Sequence, residues 1–391
     1  MSVAIPYIAA DLHLSPVAMG AVMSVLYATY SISQIPGGLL ADKFGLRRVA
    51  AIALFGTSVF TGFTGAALSS LQLIFTRALV GSVEGLYPAC SFKAIATWFP
   101  RSERATANSI MYASSWLGAV LAPLIVVALV SLWSWRAAFI VLTLPGIICA
   151  ALIWYFVGDR PSPSTNIPSD ETKQEVEEVP DGRPPTTVRE SLLQLLDPLL
   201  LKYAIASITF GMAWAGFSMW LPTYLVRVRG FPAAEMGMIA SLTFFTGMVG
   251  SALGGWISDR YFREDRRIPI VFAEIIAAGM ILCIFFTEST AVLIICQCVA
   301  AFLMMSRFTA FWALPMNTVP AENMGVVSGF LNSADSLAMA IMPIVVGVLI
   351  EVSGGGFGLT FACIIAFLLI SSAIVMTLPV KFKSQTSEFR V

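Results

Sequence analysis

Long apolar stretches recur from one end of this chain to the other, and they constrain its fold more than any other feature. Each stretch runs for about 20 residues, the length that an α-helix needs to cross the hydrocarbon core of a bilayer. Of the 391 residues, 58% are hydrophobic and 12% are charged, which is far from the composition of a soluble globular domain. The sequence therefore predicts an all-α, multi-pass membrane protein whose surroundings are the lipid bilayer.

Short polar breaks divide the apolar stretches into twelve predicted segments. The first is residues 1–10, and the others are 16–40, 47–69, 71–95, 104–131, 136–158, 201–226, 235–258, 268–287, 290–318, 322–350 and 357–379. A segment rich in proline, serine and acidic residues separates the sixth from the seventh and cannot bury a core. The predicted domains are an N-terminal bundle (1–158), a linker (159–200), a C-terminal bundle (201–380) and a tail (381–391).

Lysine and arginine are distributed unevenly between the two sets of breaks, which predicts the orientation of the chain. One set carries twelve of them and the other carries only Arg136, Arg227 and Arg229, with the linker left out of the count. Basic residues concentrate on the cytoplasmic side of membrane proteins. We therefore expect the linker and the C-terminus to be cytoplasmic, in a bacterial inner membrane.

An internal repeat relates the two halves. The segments GGLLADKFGLRR, from residue 37, and GGWISDRYFREDRR, from residue 254, both place two glycines, an aspartate and a basic cluster at the end of a predicted helix. The offset from Gly38 to Gly255 and from Asp42 to Asp259 is 217 residues in both cases. The repeat predicts two pseudo-symmetric six-helix bundles, with a substrate site at their interface near the bilayer midplane.

The first predicted helix is short relative to its counterpart in the second half. Pro6 corresponds to Pro222 in the repeat, yet about 20 residues of the seventh span precede Pro222 and five residues precede Pro6. We expect the first helix to be truncated, either because the start was mis-assigned or because the sequence is a fragment.

The motif Gly38-x-x-x-Asp42-x-x-Gly45-x-Arg47-Arg48 resembles the loop signature of the major facilitator superfamily. The segments RALVGSVEGLYPACSFKAIATWFPRSERATANSI, MWLPTYLVRVRGF and GGWISDRY resemble its anion:cation symporter branch, whose bacterial members carry hexonates, hexarates and hexuronates with protons. The resemblance implies the major facilitator fold, an anion-binding arginine at Arg77 and a proton-carrying glutamate at Glu84. It also implies that Tyr30, Trp312 and Asn332 line the substrate cavity. The branch usually has an Asp-Arg pair just ahead of the residues that match Met1 and Ser2, and this sequence lacks it.

Arg77 and Glu84 are charged residues in an otherwise apolar span, where a charge costs about 3 kcal/mol or more. Their spacing of seven residues places them on one helix face, about 10 Å apart along the axis. A guanidinium needs an anion there, and its planar fork suits a carboxylate. A desolvated glutamate is suited to carry a proton. The alternative is a structural role, with Arg77 bridging helices and Glu84 permanently neutral.

Three further groups of residues are candidates. Gly38, Asp42, Arg47 and Arg48, with Asp259 and Arg260 in the repeat, are predicted to act in gating, although the arginines alone would also set topology. Arg307 and Asp335 lie at similar depth in the tenth and eleventh spans, so we expect them to form an intramembrane ion pair, with a second protonation site at Asp335 as the alternative. Tyr30, Trp312 and Asn332 offer groups that orient a polyol, and Thr309 could add a hydrogen bond. From the sequence alone the alternative for these residues is helix packing, and the family resemblance favours binding. Glu274 falls near a span end and receives no role.

Motifs of other function classes are missing from the sequence. It contains no Walker loop, dinucleotide-binding turn, zinc spacing or nucleophile elbow, and its net charge is zero. We therefore expect no enzyme activity, no nucleic-acid partner, and no metal or cofactor other than the coupling proton. The expected protein is a monomeric secondary transporter that imports an organic anion by proton symport. The alternatives are an exporter of drugs or metabolites and a non-transporting fragment.

Overall fold

A computed structural model describes residues 1–99, 101–158, 197–262, 264–318 and 324–379, and every regular element in these ranges is an α-helix. The predicted tail and nearly all of the predicted linker lie outside the described residues. The first half contains α1 (Ile5–Asp11), α2 (Pro16–Phe44), α3 (Leu46–Gly65), α4 (Ser70–Glu84), α5 (Tyr87–Trp98), α6 (Arg101–Leu132), α7 (Trp135–Val141) and α8 (Thr143–Phe156). The second half contains α9 (Pro198–Arg227), α10 (Ala233–Tyr261), α11 (Arg267–Phe286), α12 (Thr290–Thr318), α13 (Met324–Val352) and α14 (Gly358–Met376).

The apolar spans of the sequence correspond to these helices. Ten of the helical segments in the described part of the chain are long and apolar enough to cross a membrane, which confirms the predicted fold class. The start of α2 follows its sequence signal, because Ser15 Oγ accepts a hydrogen bond from the Ala18 amide at 3.2 Å and Pro16 occupies the first helical turn.

Two predicted spans are each divided into two helices. The span 71–95 breaks between α4 and α5, where Pro88 lies in the first turn of α5. The span 136–158 breaks at Leu142, between α7 and α8, and Pro145 follows within the first turn of α8. Proline has no amide hydrogen and clashes with the carbonyl four residues earlier, so each break lies where a continuous helix would be strained.

The short helix α1 packs against α9 of the second half. Its residues Ile5 and Ile8 are completely buried. It therefore contributes to the core between the two halves, although it spans only seven residues.

Besides this contact of α1 with α9, the two bundles meet along two helix pairs, α2 with α13 and α6 with α10. We call the end that carries Lys43, Arg47, Arg48 and Arg260 the basic end, and the opposite end the far end. At the far end, a Cβ on Gly20 would lie 2.3 Å from the Pro343 carbonyl oxygen, and one on Gly347 would lie 2.4 Å from the Pro16 carbonyl oxygen. Backbone therefore contacts backbone across the interface there, which only glycine permits.

The α6–α10 pair is equally close in its far half. The Ser241 hydroxyl donates to the Val120 carbonyl at 2.6 Å, and a Cβ on Gly237 would lie 2.7 Å from Val127. Both inter-bundle helix pairs are therefore tightly packed toward the far end, so the described structure is closed on that side.

The repeated glycine pair has a consistent structural role in both halves. A Cβ on Gly37 would lie 2.7 Å from the Leu86 backbone, and one on Gly254 would lie 2.3 Å from the Ser306 hydroxyl. A Cβ on the second glycine of the first pair, Gly38, would only touch the Ala89 Cβ at 4.0 Å, and one on Gly255 would meet nothing within 4 Å. The first glycine of each pair therefore makes the close contact with the neighbouring helix, and packing does not require glycine at position 38.

Candidate functional site

The close packing of α2 against α4 positions the charged face of α4. A Cβ on Gly81 would lie 2.2 Å from the Leu26 carbonyl oxygen, and one on Gly85 would lie 2.4 Å from that of Tyr30. The two glycines let the helix backbones touch, with Glu84 between them in the sequence. Tyr30 lies close enough to Glu84 for their side chains to interact electrostatically.

Arg77 lies inside the N-terminal bundle and is 5% exposed. Its Nη2 donates a hydrogen bond to the Thr64 hydroxyl at 3.1 Å, and its guanidinium lies 5.1 Å from the centre of the Phe139 ring. Its Nε has no hydrogen-bond partner, and no carboxylate of the described residues lies within ion-pair distance of it. Arg77 is therefore a buried cation that is held by a hydroxyl and an aromatic ring and lacks an acidic partner.

Glu84 lies seven residues further along α4 and is half-buried. It forms no ion pair with Arg77 or with another described residue, in agreement with the separation expected from the helix geometry. The two charged groups are thus not in direct contact, although they interact electrostatically, and the guanidinium is more enclosed than the carboxyl group.

The predicted polyol-binding residues Tyr30, Asn332 and Trp312 differ in their contacts and in their exposure. Asn332 is exposed on α13 and donates from Nδ2 to Gln34 Oε1 of α2 at 3.2 Å, across the bundle interface. Gln34 is one helical turn from Tyr30, so Tyr30 and Asn332 approach the same region from opposite bundles. Trp312 is half-buried, in contact with the Phe308 ring.

Thr309 is less suited to bind a substrate than the sequence suggests. Its hydroxyl hydrogen-bonds to the Ser306 carbonyl of its own helix at 3.1 Å. Its donor is therefore satisfied within α12.

The predicted gating residues contact their own bundles among the described residues. The Arg47 guanidinium lies 5.7 Å from the centre of the Trp154 ring, and Asp259 forms an ion pair with Arg266 at 2.8 Å. Arg48 and Arg260 are exposed, and the side chain of Asp42 lies outside the described part.

A lysine that the sequence reasoning passed over lies near these residues. Lys93 of α5 donates from Nζ to the Ala41 carbonyl at 2.8 Å and so connects α5 to the basic end of α2. Its signal in the sequence was a charge within the predicted span 71–95.

Arg307 has a different partner from the one predicted. Its Nε lies 2.7 Å from Glu274 Oε1, and the two side chains are 1% and 0% exposed. No ion pair joins Arg307 to Asp335, so the predicted pair is wrong, and Glu274 is a buried partner rather than a residue at a span end. The guanidinium is also covered by the rings of Phe210 and Phe311, with centres 4.0 and 4.2 Å away.

Two helical bundles of membrane-spanning length, each with buried charged side chains, are the architecture of a membrane transporter. The family model of the Major Facilitator Superfamily matches residues 1–343. The chain therefore belongs to the Major Facilitator Superfamily, as its loop motif indicated.

Curated relatives and solved structures agree with this assignment. The chain is 29% identical over 400 residues to the probable galactarate/D-glucarate transporter GudP of Bacillus subtilis, covering 95% of this chain and 86% of that protein. It is 30% identical over 399 residues to a D-galactonate transporter of Escherichia coli O6:H1, covering 95% and 89%. A bacterial homologue of the human lysosomal transporter Spinster, solved in an inward-facing and occupied conformation, has the same fold. Its TM-score is 0.79 at 17% identity, and the match covers 96% of this chain and 91% of that one.

Proposed function

We propose that this transporter imports a sugar acid of the hexonate, hexarate or hexuronate class together with one or more protons. The observation that carries the proposal is the contrast between the two membrane-embedded arginines. Arg307 is neutralised by Glu274, whereas Arg77 is also buried but lacks an ion-pair partner among the described residues. A buried cation without a counter-ion is costly, and a substrate carboxylate would supply the missing charge.

The relatives support the same substrate class. Galactarate and D-glucarate are dicarboxylates of a six-carbon polyol, and D-galactonate is a monocarboxylate of one. In our proposal, Arg77 binds a carboxylate of the substrate, while Tyr30, Trp312 and Asn332 form hydrogen bonds with its hydroxyl groups. The half-buried Glu84 carries the proton, so that substrate and proton cross the membrane as a nearly neutral load.

We propose that transport proceeds by alternating access. The far end is closed by the contacts of Gly20 with Pro343 and of Gly347 with Pro16. We infer that the basic end faces the cytoplasm of a bacterial cell and that the far end opens outward to load substrate. Opening would separate the two bundles at that end and admit substrate between them, and rocking of the bundles would then expose the site to the inside.

Uptake of labelled D-galactonate and D-glucarate into proteoliposomes tests the function. An imposed pH gradient, acidic outside, should drive accumulation, and collapse of the gradient by a protonophore should abolish it. Glu84→Gln should lose gradient-driven accumulation while retaining exchange of labelled for unlabelled substrate, because exchange needs no net proton movement. Absence of uptake for every hexonate, hexarate and hexuronate, with export of amphiphilic drugs instead, would contradict the proposal.

A further inference from the structure

The C-terminal bundle contains a charge cluster that the proposed transport mechanism does not use, and we define it as Glu274, Arg307 and Asp335. Its centre is the Arg307–Glu274 ion pair, 2.7 Å between Nε and Oε1. Asp335 is close enough to Arg307 to interact electrostatically, although it forms no ion pair with it. The cluster thus contains two acids and one base in a membrane-embedded core.

Arg307 is fixed in its pair with Glu274. Its Nη2 donates to the Ser371 hydroxyl at 3.1 Å and to the Ala206 carbonyl at 3.3 Å. The Ser371 hydroxyl also donates to Glu274 Oε1 at 2.7 Å, so this oxygen accepts two hydrogen bonds. Turning the guanidinium toward Asp335 would break these contacts, and the rings on its two faces also oppose such a movement.

Asp335 has a different environment. It is half-buried, and it lies three residues after Asn332, which reaches across the bundle interface to α2. The Ser207 hydroxyl of α9 is within hydrogen-bonding reach of its carboxyl group. Among the described residues of the helices packed against it, α2, α9, α12 and α14, the charged group that acts on Asp335 is Arg307.

The charges of the cluster determine where a proton is held. With both acids ionised, the cluster has a net charge of −1, which is unfavourable in a low-dielectric core. One bound proton makes it neutral. Glu274 Oε1 accepts hydrogen bonds from Arg307 and Ser371, which favour the ionised form, although Oε2 has no partner. Asp335 forms no ion pair, so we assign the proton to Asp335.

We propose that Asp335 is a second proton-binding site and that Glu274 is the positioning residue that maintains it by occupying Arg307. Each bundle then carries one proton-binding acid, Glu84 in the first and Asp335 in the second. This inference rests on the proposed function for its role in transport, but proton binding itself can be measured without any substrate.

The test is a pH titration of the purified full chain by infrared spectroscopy in a Glu84→Gln background. The difference between this parent and its Asp335→Asn variant isolates the carboxylic-acid band of Asp335. We expect the band to appear as the pH is lowered. In Glu274→Gln, Arg307 loses its anion and Asp335 becomes its counter-ion, so the midpoint of the band should move down by about one pH unit or more. Glu274→Asp should largely restore the midpoint.

Matched variants keep the result interpretable. Glu351→Gln, an exposed glutamate on α13, should leave the midpoint unchanged. If Glu274→Gln does not fold, Ser371→Ala, which weakens the same pair, should shift the midpoint in the same direction by less. Identical spectra for the parent and Asp335→Asn at every pH, or an unmoved midpoint in both Glu274→Gln and Ser371→Ala, would overturn the inference. Failure of D-galactonate uptake would count against the proposed function alone, because the titration requires no substrate.

Discussion

The Nε of Arg307 lies 2.7 Å from Oε1 of Glu274, and this ion pair joins α12 to α11 in the core of the C-terminal bundle. Through its contact with the Ala206 carbonyl and Ser371, the same guanidinium also joins α9 and α14. The buried Arg307 side chain therefore connects four helices of one bundle.

Removing one partner of this ion pair should destabilise the protein strongly. Arg307→Met or Glu274→Leu alone leaves an unpaired buried charge, and we expect each to lower the free energy of unfolding by about 3–5 kcal/mol. The double variant Arg307→Met with Glu274→Leu should recover most of the loss, because no charge remains unpaired. Denaturant unfolding in detergent measures these values. Equal recovery by Arg307→Met with Asp335→Leu would show that Asp335 is the true partner.

The glycine contacts at the far end predict a variant that cannot close. Gly20→Val would place side-chain atoms against the Pro343 backbone, so we expect the bundles to stay apart at that end and transport to fall sharply. Distances between spin labels at His13 and Val352, with the native cysteines replaced, should increase. Gly279→Val is the matched control, since nothing lies within 4 Å of a Cβ at that glycine. An unchanged distance in Gly20→Val would refute the closed assignment.

The far end also carries a pH-sensitive contact. Asp11 accepts hydrogen bonds from Arg136 and, at 3.0 Å, from Trp135, and the Arg136 guanidinium lowers the pKa of Asp11 below its ordinary value of 3.8. Because the pKa is lower in the folded state, this contact stabilises the protein above the unfolded pKa, and the stabilisation is lost as the pH falls through the folded value.

Asp11→Asn should therefore lower the thermal midpoint at neutral pH, and its effect should shrink as the pH falls below 3.8 and through the lower folded-state pKa of Asp11. Glu288→Gln, an exposed glutamate, should have little effect at either pH. A constant difference between Asp11→Asn and the parent over the whole pH range would rule out a contribution from ionisation.

Substrate affinity should depend more on Arg77 than on Tyr30. Arg77→Lys replaces the planar fork by a point charge, and we expect it to weaken binding of D-galactonate by roughly ten- to a hundredfold. Tyr30→Phe removes one neutral hydrogen bond and should cost roughly tenfold or less. Isothermal titration of the purified protein gives both values, with the exposed Arg227→Lys as control. A larger loss for Tyr30→Phe would argue against a carboxylate at Arg77.

The site was only partly predictable from the sequence. The separation of Arg77 and Glu84 followed from helix spacing, because both lie on one helix. The partner of Arg307 did not, because Arg307 and Asp335 lie at the same depth by residue count, whereas Glu274 lies about 6 Å nearer the basic end. The long arginine side chain spans that difference, and depth alone therefore selected the wrong acid.

The sequence by itself determined the membrane class, the number and positions of most spans, the repeat of 217 residues and the family. These depend on the length of apolar segments and on short motifs, which are properties of a single stretch of chain. Only the tertiary structure decided which helices touch, that Gly37 rather than Gly38 makes the close contact, and that Glu274 rather than Asp335 neutralises Arg307. Those outcomes depend on which helices lie side by side and on how each helix is rotated about its axis. Contacts between side chains far apart in the sequence determine both.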